Sequence, residues 1–167
     1  MTAADPDEAY GALSHIDAAG RTKMVDISAK ADTKREASAS GRIVMRRETL
    51  ALIQQNGLPK GDVLAVAQIA GVMAAKRTHD LIPMCHPLLL TGIDVTLTPN
   101  DPRSCVDISA TIRTTGKTGV EMEALTAVTI AALTVYDMCK AVDRKMRIEQ
   151  IRVVRKSGGK SGQWQAP

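Results

Sequence analysis

Apolar and polar residues alternate along two neighbouring stretches of the chain. In residues 89–98 and 105–113 apolar side chains recur at about every second position, which is typical of β-strands with one buried face. The segment Pro99-Asn100-Asp101-Pro102 lies between them and predicts a hairpin turn. On the first strand the residues expected on the buried face are Leu89, Ile93, Val95 and Leu97, and on the second they are Val106, Ile108, Ala110 and Ile112. Weaker strand patterns lie at Met24–Ile27, Arg42–Met45 and Arg147–Val154.

Three other stretches have helical character. Residues 63–76 are almost all small or apolar, so we expect a helix that is buried on most sides, with Asp62 as its N-cap. A longer apolar stretch predicts a helix over residues 120–142. Residues 48–55 predict a short helix that stops at Asn56-Gly57.

The order of these elements indicates the fold class. The predicted order is β-α-β-β-α-β, with the first helical region broken in two. This order predicts an α+β protein with a ferredoxin-like split βαβ arrangement, in which helices cover one face of an antiparallel sheet. We expect a mobile N-terminal arm at residues 1–20, one domain at 21–156 and a flexible basic tail at 157–167.

Composition narrows the classes of partner. The 167 residues, 44% of them hydrophobic, fit one globular domain, and the net charge of +4 favours anionic partners. Phe is absent, and the few aromatic residues offer no platform for stacking nucleic-acid bases, so a small phosphorylated ligand is the better expectation. We expect neither a membrane span nor a secretory signal, and three widely spaced cysteines fit reduced thiols in the cytoplasm.

The stretch Lys76–Pro87 concentrates titratable side chains beside two prolines, which stop a helix from continuing. Such a loop presents its side chains to a ligand. Cys85 and His86 are chain neighbours, whose side chains point apart, and no other Cys or His lies at a metal-ligand spacing. We therefore favour ligand binding or acid–base chemistry by His86 over a metal site or thiol catalysis.

Asp137 and Lys140 lie three residues apart on one face of the long predicted helix. They form either an ordinary surface ion pair or, since their neighbours are mostly apolar, an acid and an amine with shifted pKa values suited to proton transfer. Both readings stay open on the sequence alone.

Three further features have an ordinary and a functional reading. Glu121 and Glu123 suit the first turn of any helix, or they accept hydrogen bonds from a guanidine-like ligand edge. Lys60 is either an exposed cation or part of an anion site at a helix N-terminus. Gly116-Lys117-Thr118 lacks the first glycine of a P-loop, so it is a simple turn or an unproven phosphate contact.

Together these segments resemble the cyclic pyranopterin monophosphate synthase family, the C protein of molybdenum cofactor biosynthesis. The resemblance covers nearly the whole chain. The segments that carry it are Ser14–Asp17, Met24–Ser28, Lys60–Val63, Ala74–Thr78, Leu81–Pro87, Gly119–Leu125, Tyr136–Lys140 and Arg155–Gly162.

The resemblance implies a lyase that converts 3′,8-cyclo-7,8-dihydro-GTP into cyclic pyranopterin monophosphate and releases pyrophosphate. It implies Asp137, Lys140 and Lys60 as catalytic residues, and a homohexamer built as a trimer of dimers. The substrate-binding residues that it implies are Met84, Cys85, His86, Glu121, Met122, Glu123, Lys76 and Lys156. We expect no metal ligands in the protein and no cofactor, although a divalent ion accompanying the triphosphate is compatible with the sequence.

One distance constrains this picture. Glu123 and Asp137 are fourteen residues apart, which is about 21 Å along a continuous helix. Either Glu123 lies in an extended lead-in to the helix, or two subunits share each site; we favour the shared site. The competing functions are a nucleic-acid-binding module, a purely structural subunit and a metal-dependent phosphohydrolase, and the absence of clustered metal ligands disfavours the last.

Overall fold

The computed structural model of the protein describes residue 21 and residues 24–58, 60–160 and 162–167. The predicted N-terminal arm lies outside these residues. The strands are β1 Thr33–Val44, β2 Leu90–Asn100, β3 Cys105–Gly116, β4 Arg147–Ser157 and β5 Trp164–Gln165. The helices are α1 Arg47–Gln54, α2 Val63–Lys76, α3 Thr78–Leu81 and α4 Glu121–Cys139, and a 3₁₀ turn at Asp101–Arg103 joins β2 to β3.

The strands form one sheet in the order β2-β3-β1-β4-β5, and every neighbouring pair is antiparallel. Since β1 and β2 both run antiparallel to β3, they are parallel to each other and are split by the strand between them. The same holds for β3 and β4 on either side of β1. Helices α2 and α4 pack on the sheet, so the predicted α+β, ferredoxin-like split βαβ order is confirmed.

The start of the sheet differs from the prediction. A single strand, β1, runs from Thr33 to Val44, where only Arg42–Met45 had strand character, and Met24–Ile27 forms no strand. Its first half alternates small buried residues, Ala37 and Ala39, with polar ones, which is a weak signal in the sequence. Pairing with β3 on one side and β4 on the other supplies the stabilisation that local preference lacks.

The predicted inward position of Leu89 is wrong, because its side chain is 88% exposed. The register between β2 and β3 shifts between Leu90 and Gly92, which indicates a bulge. One extra residue reverses the alternation, so Leu90 rather than Leu89 packs against the core. Beyond the bulge, Val95 is buried as predicted.

Small residues let the helices approach one another and the sheet closely. A Cβ atom at Gly71 of α2 would lie 3.1 Å from the carbonyl oxygen of Ala127 in α4. At Gly41 of β1, an added Cβ would lie 2.8 Å from a methyl carbon of Val128. This spacing explains how a chain without Phe fills its core: alanines and β-branched residues suffice where backbones lie this close.

Helix α2 is less buried than its composition predicted. Val66, Ile69 and Met73 lie on one face of the helix and are 43%, 60% and 52% exposed in the single chain. The opposite face, including Ala67 and Gly71, packs against α4 and the sheet. The expectation of burial on most sides therefore fails for an isolated subunit, and an apolar face is left uncovered.

The helix ends follow local capping rules. The Asp62 carboxylate accepts a hydrogen bond of 3.0 Å from the Ala65 amide, as expected of an N-cap. Helix α1 stops at Asn56-Gly57, where Asn56 is left-handed (φ 51°) and the Gly57 amide donates to the Leu52 carbonyl. Helix α4 ends at Cys139, before the predicted residue 142; it is long and apolar enough to cross a membrane, but half of it is buried inside this fold.

A candidate active site at the two ends of one helix

A cavity of about 450 Å³, here called the N-terminal pocket, lies at the start of α4. One wall is the loop after α3, which contributes predicted site residues, and the other is the first turn of α4. The predicted site residues that line the pocket are Met84, Cys85, His86, Glu121, Met122 and Glu123. The structure therefore gathers six of the predicted substrate-binding residues around one space.

Glu123 is the buried acid of the N-terminal pocket, with only 4% of the residue exposed. Burial raises the pKa of its carboxyl group above the usual value, and the neighbouring charge of Glu121 adds to the rise, against hydrogen bonding and the charge of His79. The neutral acid is favoured relative to an exposed glutamate. Such a group can donate a hydrogen bond to a ligand as well as accept one.

Cys85 and His86 line the same pocket and are each partly exposed. Burial raises the pKa of the Cys85 thiol, and the nearby charge of Glu123 raises it further. A raised pKa leaves little thiolate, which agrees with the sequence-based preference against thiol catalysis. No group of three or more His, Cys, Asp or Glu side chains within the described ranges could hold a metal ion.

Glu121 occupies the rim of the N-terminal pocket. Its carboxylate folds back over Gly119, where an added Cβ atom would lie 1.9 Å from a carboxylate oxygen. The same carboxylate pairs with the Lys156 ammonium of β4 at 3.2 Å. Glycine at position 119 thus permits the contact that holds Lys156 beside the pocket.

A second charged group, the C-terminal cluster, lies at the far end of α4. The Asp137 carboxylate contacts the Lys140 ammonium at 2.6 Å and the Lys60 ammonium at 3.0 Å. Lys60 also donates to the Asp137 carbonyl at 3.0 Å, a favourable position for a cation near a helix C-terminus. The three side chains are about half exposed, at 58%, 54% and 49% for Asp137, Lys140 and Lys60.

Exposure and mutual attraction keep this cluster charged in a single subunit. Hydrogen bonds from Lys140 and Lys60 hold the pKa of Asp137 below its usual value. The hydrogen bond to Asp137 raises the pKa of Lys140. The apolar cleft that could shift these values toward neutrality is therefore absent from the described part of one chain, and both groups remain ionised at neutral pH.

A buried aspartate braces the loop that follows the C-terminal cluster. Asp143 is 3% exposed, and its carboxylate accepts hydrogen bonds from the Arg46 amide at 2.9 Å, the Lys145 amide at 3.1 Å and the Thr49 hydroxyl at 3.2 Å. Burial pushes the pKa of Asp143 upward, but these hydrogen bonds outweigh it and leave the pKa below its usual value. Asp143 thus ties the backbone just before α1 and the Thr49 side chain in the first turn of α1 to the loop that follows α4.

The pocket and the cluster are separated by almost the whole of α4. Glu123 and Asp137 both lie within the helix, so the extended lead-in considered from the sequence is excluded. Their separation along the axis is about 21 Å. Helix α2 runs antiparallel to α4, since Lys60, just before α2, contacts Asp137, while Gly71 further along approaches Ala127.

One predicted residue, Lys76, does not line the N-terminal pocket, and three residues that were not predicted do line it. Lys76 ends α2 on the side of the N-terminal pocket, but it is exposed and does not line that cavity. Val25, Ile27 and Lys30 do line it, as part of a segment without regular structure. Their position depends on contacts made far away in the sequence, so no local pattern could have identified them.

Comparison with known proteins places both ends of α4 within one family. The MoaC family profile matches residues 24–159, a range that includes all eleven predicted site residues. The chain is similar to the cyclic pyranopterin monophosphate synthase of Chloroflexus aurantiacus, with 61% identity over 160 residues, 96% of this chain and 98% of the relative. The proteins of that name from a Roseiflexus species and Heliobacterium modesticaldum are 63% and 58% identical, over 90% and 91% of this chain and 95% and 96% of their own lengths. The chain therefore belongs to the MoaC family.

Proposed function

We propose that this protein is a cyclic pyranopterin monophosphate synthase that acts in molybdenum cofactor biosynthesis. It converts 3′,8-cyclo-7,8-dihydro-GTP into cyclic pyranopterin monophosphate and releases pyrophosphate. The observation that carries the proposal is identity of about 60% to proteins of that name over at least nine-tenths of the chain. The pairing of a pocket for a polar ring system with a lysine-rich cluster suits a substrate that combines a guanine-derived ring and a triphosphate.

The reaction fits a phosphorus–oxygen lyase. A hydroxyl oxygen of the former ribose bonds to the innermost phosphorus as the bond from that phosphorus to pyrophosphate breaks. The guanine-derived ring opens and closes again as a pterin, which requires protons to be moved between nitrogen and carbon centres. Asp137 and Lys140 supply this proton transfer, and Lys60 stabilises the charge on the phosphates.

Two subunits share each active site in this proposal. Since α4 holds the N-terminal pocket and the C-terminal cluster about 21 Å apart, one small substrate does not reach both within a chain. A two-fold axis crossing the helix layer near the middle of α4 would place the cluster of one subunit beside the pocket of the other. Val66, Ile69, Met73 and Leu133, all exposed and apolar, supply the uncovered surface for such contact.

Such contact would also adjust the chemistry of the C-terminal cluster. Covering Asp137 and Lys140 with a second subunit removes water, which raises the pKa of the acid and lowers the pKa of the amine. Both changes bring the pair closer to the range in which proton transfer is efficient at neutral pH. Six chains, arranged as three such pairs, are the expected assembly.

The remaining expectations complete the proposal. Glu123 and the chain near Cys85 orient the guanine-derived edge, with His86 beside it. Lys76 and Lys156 bind phosphate oxygens together with Lys60. The enzyme acts in the cytoplasm without a resident cofactor, nucleic acid or membrane partner.

The test is turnover of the named substrate. Purified protein is supplied with 3′,8-cyclo-7,8-dihydro-GTP, and cyclic pyranopterin monophosphate and pyrophosphate are measured separately. The proposal predicts both products in equal amounts, and their loss in Asp137→Ala. Intact substrate in the presence of folded, assembled wild-type protein would overturn it and favour a binding module of the same fold.

A further inference from the structure

The C-terminal strand β5 brings the single tryptophan of the chain beside a predicted substrate-binding residue. In the ladder between β4 and β5, Lys156 lies directly opposite Trp164, and the Ala166 amide donates to the Val154 carbonyl at 2.9 Å. Directly opposite residues of an antiparallel pair point to the same face of the sheet, with Cβ atoms about 5 Å apart. Lys156 and Trp164 also border the same cavity, of about 260 Å³. The two side chains are therefore neighbours.

The register across β1, β4 and β5 shows which face of the sheet they share. Lys156 pairs on its other side with Ala37 of β1. Ala37 lies on the same face of β1 as Gly41, which closely approaches α4. The Lys156 ammonium accordingly reaches Glu121 in the first turn of α4, at 3.2 Å. Trp164 belongs to the same row and stands on the helix-covered face, at the edge of the sheet.

This row forms a slot for the Lys156 side chain. One wall is the methyl group of Ala37, which is 1% exposed, and the other is the indole of Trp164. A lysine packs its methylene chain along apolar surface while its ammonium stays with a polar partner, here the Glu121 carboxylate. Two apolar walls reduce the number of rotamers open to the methylene chain, so the ammonium is directed to the start of α4.

Glycine residues specify the turn that returns the chain from β4 to β5. Gly158 has a φ of 95°, and an added Cβ atom there would lie 2.1 Å from the Lys34 carbonyl oxygen of β1. The Gly162 amide donates to the Gly159 carbonyl at 3.3 Å, and both residues also have a positive φ. Glycine adopts this conformation without the steric cost that a Cβ atom brings. The turn can therefore pack against β1 and bring Trp164 back opposite β4.

We propose that Trp164 is a positioning residue that acts through Lys156: its indole holds the lysine in the conformation that places the ammonium beside the N-terminal pocket. The part that Lys156 plays in substrate binding rests on the proposed function. Trp164 does not line the N-terminal pocket, and it is 44% exposed, so it supports a neighbouring side chain rather than the substrate or the core. It also lies beyond residues 24–159, which the family profile matches.

Fluorescence tests the contact without substrate, because Trp164 is the only tryptophan in the chain. Lys156→Ala removes the methylene chain that covers the indole, so the emission maximum should move to longer wavelength and acrylamide should quench the emission more strongly. The matched control is Lys145→Ala, at an exposed lysine just before the other end of β4, and its spectrum should equal that of wild type. An unchanged spectrum in Lys156→Ala would show that the contact is not made and would overturn the proposal.

Steady-state kinetics with 3′,8-cyclo-7,8-dihydro-GTP tests whether the contact positions Lys156. Trp164→Ala should raise KM by about tenfold with a smaller change in kcat, because an ammonium that is no longer held in place binds phosphate oxygens less well. Trp164→Phe keeps an aromatic wall and should stay near wild type. Gln165→Ala is the matched control, because Gln165 lies on β5 opposite Arg155, on the other face of the sheet.

A double variant separates positioning from an independent role of the tryptophan. If Trp164 acts through Lys156, adding Trp164→Ala to Lys156→Ala should raise KM no further. Effects on KM that multiply, or a loss in Trp164→Ala that Trp164→Phe shares, would overturn the positioning role. Absence of turnover in folded wild-type protein would contradict the proposed function alone, and the fluorescence comparison then decides the contact. Turnover by wild type with an unchanged spectrum in Lys156→Ala would contradict the positioning role alone.

Discussion

The two ends of α4 carry acids in opposite environments. Glu123, in the first turn, is 4% exposed, and burial raises its pKa; the Asp137 side chain, in the last turn, is 58% exposed, and two lysines lower its pKa. One helix thus holds a carboxyl group pushed toward its neutral form and another held charged. Separation of pKa values between two acids is a common way to divide hydrogen-bond donation from proton acceptance.

The two ends of α4 also differ in how far a single chain surrounds them. The N-terminal pocket is enclosed by elements of its own chain, whereas the C-terminal cluster points outward beside an uncovered apolar surface. In the proposed shared site, the cluster would acquire its final environment only when a second subunit covers it. Substitutions at the two ends should therefore affect activity, assembly and stability differently.

The largest effect is expected at the C-terminal cluster. Asp137→Asn keeps the shape of the side chain but removes the charge and the proton acceptor, so kcat should fall by about 10²- to 10⁴-fold. Steady-state kinetics with 3′,8-cyclo-7,8-dihydro-GTP measures this. Asp94→Asn is the control, because Asp94 is similarly exposed and paired with Arg113 on the open face of the sheet. A similar loss in both variants would contradict a specific role for Asp137.

A charge placed on the uncovered apolar surface of α2 should disrupt the assembly of subunits. Ile69→Asp places a charge in the proposed contact, so the protein should dissociate into smaller species and lose turnover. Light scattering after size-exclusion chromatography measures the mass. Leu89→Asp alters a side chain that is more exposed and lies just before β2 rather than on the uncovered face of α2, and it should leave the mass unchanged. An unchanged assembly in Ile69→Asp would show that a different surface is used.

Removing the buried Asp143 carboxylate, next to the C-terminal cluster, should lower the free energy of unfolding. Asp143→Ala leaves the Arg46 amide and the Thr49 hydroxyl without their buried acceptor, which should cost roughly 2–3 kcal/mol in the free energy of unfolding. Urea denaturation at fixed protein concentration measures the change. Asp101→Ala, at an exposed aspartate, should change stability by less than about 0.5 kcal/mol.

The pH dependence of this loss has a definite sign. The folded-state pKa of Asp143 lies below its usual value of 3.8, so its stabilising effect is present above that value and disappears as the pH falls through the lowered folded pKa. The difference between wild type and Asp143→Ala should therefore shrink in acid. A difference that stays constant down to the lowest accessible pH would contradict the assigned hydrogen bonds.

The smallest effect is expected at the buried acid of the N-terminal pocket. Because the folded-state pKa of Glu123 is raised above 4.5, the folded protein holds a proton that the unfolded chain has lost, and stability falls as pH rises through this interval. Glu123→Gln should remove that fall. Melting temperatures measured from pH 4 upward should show the variant gaining on wild type, whereas Glu149→Gln, at an exposed ion pair, should follow wild type. Parallel curves for Glu123→Gln would show that burial does not shift this acid.

The regular parts of the fold could be predicted because their signals are local. Alternation in β3 identified Val106, Ile108 and Ile112 as buried, and the Asp62 cap marked the start of α2. The first strand and the exposure of Leu89 could not be predicted. The first strand depends on pairing with two strands that are distant in the sequence. The exposure of Leu89 depends on a bulge that no residue type in the sequence indicates.

The residues of the candidate site also fall into two groups, those that a local sequence signal identifies and those that it does not. Residues such as His86 and Asp137 stand out because titratable groups in apolar or proline-bounded segments are unusual. Lys30 does not stand out in a chain with 22 Lys and Arg residues, although it lines the N-terminal pocket. Its position there depends on packing between segments that are far apart in the sequence. The exposed face of α2 was hidden by its composition, since a helix rich in apolar residues has the same sequence whether its own chain or a second subunit covers it.

Complementation between two inactive variants tests the shared site most directly. Asp137→Ala and His86→Ala chains carry different affinity tags, are produced together, and are purified through both tags. If each site combines the C-terminal cluster of one subunit with the N-terminal pocket of another, a mixed pair contains one intact site and one doubly substituted site. Random pairing makes about half of the pairs mixed, so about a quarter of wild-type activity should return. Activity no higher than that of either variant alone, in assemblies that contain both chains, would contradict the shared site.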